Sequence, residues 1–240
     1  VESEAIQTKT LNQTPNRPSA KTPIQRQPSA TQLAGTTLGE LKRAIDGADE
    51  GSMDLEKVAR GVSLILEGLG ENLHREGLLE TPTRVARMYG ELLYGLNEDP
   101  ADEISCTFTE GEEELVLVKD ISFASICEHH MVPFMGVAHI GYIPAQGKIT
   151  GLSKLARVVE LVSRRLQVQE RMTAQIADAI ATKLNPRGVI VVLEAEHLCM
   201  SIRGIRKPGS KTITTSARGI LHSDQFRRQE ALTLLQNRLA

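Results

Sequence analysis

The chain has 240 residues, 40% hydrophobic and 24% charged, with a formal net charge of −2 at pH 7. That length has room for one large domain or two small ones around a real core. The balanced charge excludes a global pull toward nucleic acid or anionic membrane, and an aromatic content of 3% without Trp argues against stacking platforms for single-stranded nucleic acid.

Residues 1–36 are rich in Thr, Gln, Pro, Ser and Asn, with sparse apolar residues and no period, as in a disordered tail. A transit peptide is the alternative, weakened by Glu2 and Glu4. Residues 37–240 read as one domain, with a mainly helical part at 37–112 and a sheet-bearing part at 113–240. Helical patterning begins at Leu38. Leu55, Val58, Val62, Ile65 and Leu66 recur at helical spacing, with Ser52 as N-cap and Gly70 as stop. Thr81-Pro82 reads as N-cap and first residue of a second helix, whose stripe is Val85, Met88, Tyr89, Leu92 and Leu93.

A strand pattern over 114–125 runs into Cys127, and a second follows from Gly136 to Ile143. Two helices come next. The first carries Leu152, Leu155, Val158, Val159 and Val162. The second carries Val168, Met172, Ile176, Ile180 and Leu184, and Asn185-Pro186 ends it. The β-branched run Val189–Leu193 makes a third strand stopping just before His197. Met200–Arg206 and Lys211–Ala217 read as a strand or a hairpin pair, and Ser223 as cap of a final helix through Leu235. The order is α+β: helices, then ββααββ, then a helix.

Five of the Cys and His residues fall in two short stretches, Cys127-Glu128-His129-His130 and Glu196-His197-Leu198-Cys199. Three cysteines, with Cys106 the third, are too few and too odd in number for a disulfide framework. A reducing, cytoplasmic setting with thiols free for metal is expected. No apolar run approaches the ~18 residues of a membrane span, and no signal-peptide pattern opens the sequence.

Cys127 and His130 are spaced to turn onto one ion, and Cys199 joins them if the third strand ends beside the first. Two thiolates and an imidazole make a zinc set one ligand short, leaving a place for water as catalytic sites do. Glu128 as a fourth ligand would close the site and make it structural, and two buried cysteines beside a chance His is the blander reading. His129 and His197 are then free for proton transfer, which the ordinary imidazole pKa suits. Lys154 and Arg157 share a helix face near its N-terminus. With Arg84 and Arg203 they would suit a polyphosphate, although each alone reads as a solvated charge.

Taken together, the segments resemble the GTP cyclohydrolase I family. They are Glu80–Arg84, Cys127–His130, Gly151–Arg157, Gln167–Thr173, His197–Cys199 and Arg203–Arg206, extending over roughly residues 40–238. The resemblance implies one Zn2+ per subunit on Cys127, His130 and Cys199, with Glu128 outside the ligand set. It implies GTP as substrate, attack of water at C8 of the purine, release of formate and rearrangement to 7,8-dihydroneopterin triphosphate. That reaction is the first step of tetrahydrofolate and pterin biosynthesis. His129 and His197 would move protons, Ser153 would act in the ribose steps, and Gln169 and Glu170 would hold the guanine edge. Arg84, Lys154, Arg157 and Arg203 would hold the triphosphate. The resemblance also implies the tunnelling fold, an antiparallel ββααββ sheet with two helices on one face, in a toroidal homodecamer with active sites between subunits. His139 and Cys106 read as structural. A non-catalytic, zinc-stabilised nucleotide-binding or assembly protein on the same fold is the alternative. A related enzyme acting on another pterin or deazapurine is a third reading, against which the four cations argue.

Overall fold

The computed structural model describes residues 53–236 except 112. The tail at 1–36, the helical onset at Leu38 and the Ser52 cap lie outside the described residues. Helix α1, Leu55–Gly68, is capped by Asp54, whose carboxylate accepts from the Lys57 N–H at 2.9 Å. Gly70, at φ 80°, follows its end. Helix α2 spans Thr81–Leu92 with Glu80 at the N-cap position, so Thr81 and Pro82 sit one place further into the helix than expected. Pro82 fits there because its missing N–H falls among first-turn groups without an intrahelical partner.

The sheet-bearing part holds β1 (Thr107–Thr109), β2 (Val116–Cys127), β3 (Val132–Ile143), β4 (Lys148–Thr150), α3 (Leu152–Ser163), β5 (Leu166–Gln167), α4 (Gln169–Leu184) and β6 (Gly188–His197). The one-turn helix α5 (Leu198–Ser201), β7 (Lys211–Gly219), the one-turn α6 (Ile220–Ser223) and α7 (Gln225–Gln236) complete it. The main sheet has the order β5-β2-β3-β6-β7. Its β2–β3, β3–β6 and β6–β7 pairs are antiparallel, and the short β5 joins β2 in parallel. β1 and β4 pair separately.

Helices α3 and α4 close the core over one face. Their stripes Leu155, Val158, Val159, Val162 and Met172, Ile176, Ile180, Leu184 are fully buried against Phe134, Ala138, Ile140, Val191 and Leu193. Leu152 does not join them and is 59% exposed. Asn185, at φ 49°, ends α4 in the left-handed region that Asn tolerates. Ala231 and Leu235 of α7 cover a second cluster containing Ile143, Ile190, Ala217 and Leu221. At Gly136 a Cβ would lie 1.9 Å from the Glu194 carbonyl oxygen, so the β3–β6 approach requires glycine.

Two expected features differ. Met200–Arg206 is not a strand: Ile202 N–H donates to Leu198 C=O at 3.0 Å and Lys207 N–H to Met200 C=O at 2.9 Å, while Gly204 and Arg206 take positive φ. Arg203 therefore lies in a turn. The last helix is capped by Asp224 rather than Ser223, its carboxylate accepting from the Phe226 and Arg227 N–H groups at 2.9 and 3.2 Å.

Candidate metal and active site

The hairpin between β2 and β3 carries the first stretch. Cys127 ends β2 opposite Val132, and Met131 N–H closes the turn on Cys127 C=O at 2.8 Å, with Met131 at φ 54°. His197 ends β6, where the β3–β6 register sets it opposite Phe134. Its imidazole stacks on the Phe134 ring at 4.6 Å, with 3° between the planes. Cys199 follows in α5. The fold thus brings Cys127, His197 and Cys199 together, with one ligand atom of each within 4.8 Å of the others.

His129 and His130 lie on the exposed turn. His129 Nδ1 is 3.7 Å from Cys127 Sγ. His130 Nε2 takes a hydrogen bond from Arg203 Nη1 at 2.9 Å. A guanidinium only donates, so that nitrogen presents a lone pair, the group a metal would use. Burial, and next the neighbouring Cys127, push the Cys199 thiol up. Two adjacent thiols resist ionising together unless a cation sits between them. The donor chemistry fits zinc: soft thiols with neutral imidazoles at hand.

Gln169 opens α4 and is 1% exposed. Its amide nitrogen faces Leu193 C=O, Thr212 C=O and Thr214 Oγ1 at 3.2, 2.9 and 3.1 Å. That leaves Oε1 to accept from His197 Nε2 at 2.8 Å. The network puts the proton on Nε2 and the lone pair on Nδ1 of a neutral His197. Burial holds this imidazole below its ordinary pKa, while Glu170 acts in the opposite sense. Glu170 is exposed in the first turn of α4, where the helix N-terminus favours a carboxylate.

The four cations are not gathered in one place by their contacts. Arg84 bonds Gly77 C=O and Thr81 Oγ1, both at 3.1 Å. Lys154 donates to Ser105 Oγ at 2.9 Å, and Ser153 beside it is exposed. Arg157 lines an open cavity of about 480 Å³ with Lys119, Asp120, Ser122 and Glu160.

Three features escaped the sequence reading. Phe134 supports the His197 ring, Arg171 holds Glu128 (below), and Glu196 clasps the Cys199–Arg203 segment. The Glu196 carboxylate accepts from Ser201 Oγ at 2.5 Å and Gly209 N–H at 3.0 Å. The Ser201 hydroxyl, more than the Gly209 amide, draws its pKa down. Only the position of Glu196 at the end of a strand run hinted at it.

The sheet backed by two helices, with thiols and imidazoles converging at its β2 and β6 ends, defines an α+β protein with a transition-metal donor set. The GTP cyclohydrolase I family model matches residues 58–236. A GTP cyclohydrolase 1 from Streptococcus pyogenes is 58% identical over 184 residues, covering 77% of this chain and 95% of its own. One from Streptococcus thermophilus is 59% identical over 182 residues, 76% of this chain and 97% of its own. A solved structure of the archaeosine synthase QueF-Like in the apo form aligns over 44% of this chain and 93% of its own, at TM-score 0.37 and 17% identity, too slight a likeness to carry an argument. The chain belongs to the GTP cyclohydrolase I family.

Proposed function

We propose that the chain is a zinc-dependent hydrolase that opens the guanine imidazole ring of GTP at C8, releases formate and rearranges the remainder to 7,8-dihydroneopterin triphosphate. Beyond family membership, the observation that carries this reading is the convergence of Cys127 and Cys199, from distant segments, with an imidazole at the ends of β2 and β6. Cys127, His130 and Cys199 would hold the zinc, His130 exchanging its Arg203 partner for the metal. Bound zinc supplies the acidity that makes water a nucleophile near neutral pH.

His197, fixed by the Phe134 stack and the Gln169 carbonyl, takes a proton at Nδ1 from the attacking water and delivers it to the purine ring. His129, on the open turn, serves the second proton transfer. Glu170 accepts from the guanine N1–H and 2-amino group, with Gln169 beside it. Arg84, Lys154, Arg157 and Arg203 neutralise the triphosphate, and Ser153 lies by the ribose. Their dispersal within one chain suits a site completed by other subunits of a tunnelling-fold, toroidal homodecamer.

A second reading is favoured by one observation: His197, not His130, is the imidazole gathered with the two thiols. There His197 would be the third ligand through Nδ1, and the proton would fall to His129.

Incubating zinc-loaded protein with GTP tests the activity. Stoichiometric formate and a dihydroneopterin triphosphate product are expected. Metal-loaded protein that binds GTP and releases neither would leave a nucleotide-binding protein.

A further inference from the structure

Glu128 is held by a cross-link that the proposed reaction steps do not use. Its carboxylate accepts from Arg171 Nη2 at 2.5 Å, and its side chain is absent from the donor group formed by Cys127, His197 and Cys199. The same Nη2 donates to Leu166 C=O at 2.9 Å, and Arg171 Nε to Gln167 Oε1 at 3.1 Å. Gln167 is 1% exposed, and its amide nitrogen bonds Val162 C=O at the end of α3 and Gln175 Oε1 in α4. The planar guanidinium is thus keyed into a buried scaffold, and one fork nitrogen reaches out to the turn.

The backbone gives that turn little other hold on α4. β5 contributes two paired residues, Leu166 and Gln167, and one further bond from Glu128 N–H to Gln167 C=O at 3.0 Å. Arg171 follows Glu170 directly in α4. Any tilt of the turn relative to α4 would change the separation between Cys127 and Glu170.

We propose that Glu128 and Arg171 form a positioning clamp, which locks the Cys127–Met131 turn onto the first turns of α4 and sets the distance from the metal donors to the guanine-holding carboxylate. Glu128 gives nothing to the metal. The proposal rests on the assignment of Cys127 to zinc and Glu170 to guanine. The Glu128 and Arg171 side chains are 37% and 42% exposed, so the pair adds little to global stability, and its effect is geometric.

The test compares wild type with Glu128→Gln, Arg171→Met and the double variant. Each is expected to keep one zinc per subunit and a KM for GTP within about twofold, while kcat falls about tenfold, because both ends still bind but meet in poorer alignment. The double variant should lose no more than the worse single variant. Hydrogen exchange at the Glu128 and Met131 amides should speed up in all three variants without GTP or turnover.

Lost zinc in Glu128→Gln would make Glu128 a ligand and overturn the clamp. So would unchanged kcat, losses that multiply in the double variant, unchanged exchange, or a kcat that falls only in step with melting temperature. If wild type released no formate, the activity reading would fall while the exchange result still judged the clamp.

Discussion

Two histidines compete for one role, and their present partners separate them. His130 offers a lone pair to the Arg203 guanidinium on an exposed turn, so it can change partner at small cost. His197 is stacked on Phe134 and bonded to Gln169, an arrangement that fixes its ring and leaves Nδ1 to take up a proton and hand it on. His197→Ala should therefore retain zinc and lose about 10²–10⁴-fold in turnover, the usual worth of a positioned acid–base group. His130→Ala should lose zinc. Metal analysis after dialysis checks both, and zinc lost from His197→Ala but kept by His130→Ala would establish the second reading. The Cys127–His130 spacing was legible because it lies within one turn. The nearness of His197 to the thiols was not, since the β3–β6 register creates it. Gln169 shows the same limit: its place at the start of α4 was readable, but its commitment to His197 depends on Leu193, Thr212 and Thr214.

At the scale of elements, periodicity found the buried stripes of α3 and α4 because each helix faces one sheet. It failed at Met200–Arg206, where alternating apolar and polar residues imitate a strand. The segment turns instead because Glu196 captures Ser201 and the Gly209 amide from both sides, contacts that reach outside the Met200–Arg206 window itself. The β2 strand has a comparable hidden support. Its register slips between Val118 and Ile121, Asp120 takes φ 57°, and the Asp120 N–H donates to His139 Nδ1 on β3 at 3.1 Å. His139 was expected to be structural, and this contact gives it a structural task. Burial holds its imidazole below the ordinary value, with the Asp120 carboxylate acting in the opposite sense. An imidazole with a depressed folded pKa binds its proton more readily when unfolded. Its contribution is full above the ordinary value of about 6.5 and is lost as pH falls through that value toward the folded one. Within that window the wild type should lose stability through this group as pH falls. His139→Gln should flatten that part of the slope. Urea midpoints at several pH values check it, and parallel wild-type and variant slopes would sink the account.

Across the whole molecule, much apolar surface remains on the outside of a single chain. Helix α1 buries no residue, and Ile65, Leu69 and Phe226 are 62%, 74% and 90% exposed. Apolar stripes of that kind usually meet another subunit. Arg84 spends its bonds within its own segment, and the metal donors converge elsewhere, at the ends of β2 and β6. If the triphosphate bridges chains, Arg84 of one subunit serves the His197 of another. Two inactive variants should then complement. Arg84→Ala and His197→Ala, each silent alone, would on co-expression form mixed oligomers in which about a quarter of sites receive both intact residues by random assembly. Turnover near that fraction of wild type, in a species sedimenting as a closed oligomer, is the expected result. Intact oligomers with no recovered turnover would place Arg84 and His197 in the same chain's site, and a monomer would remove the assembly altogether.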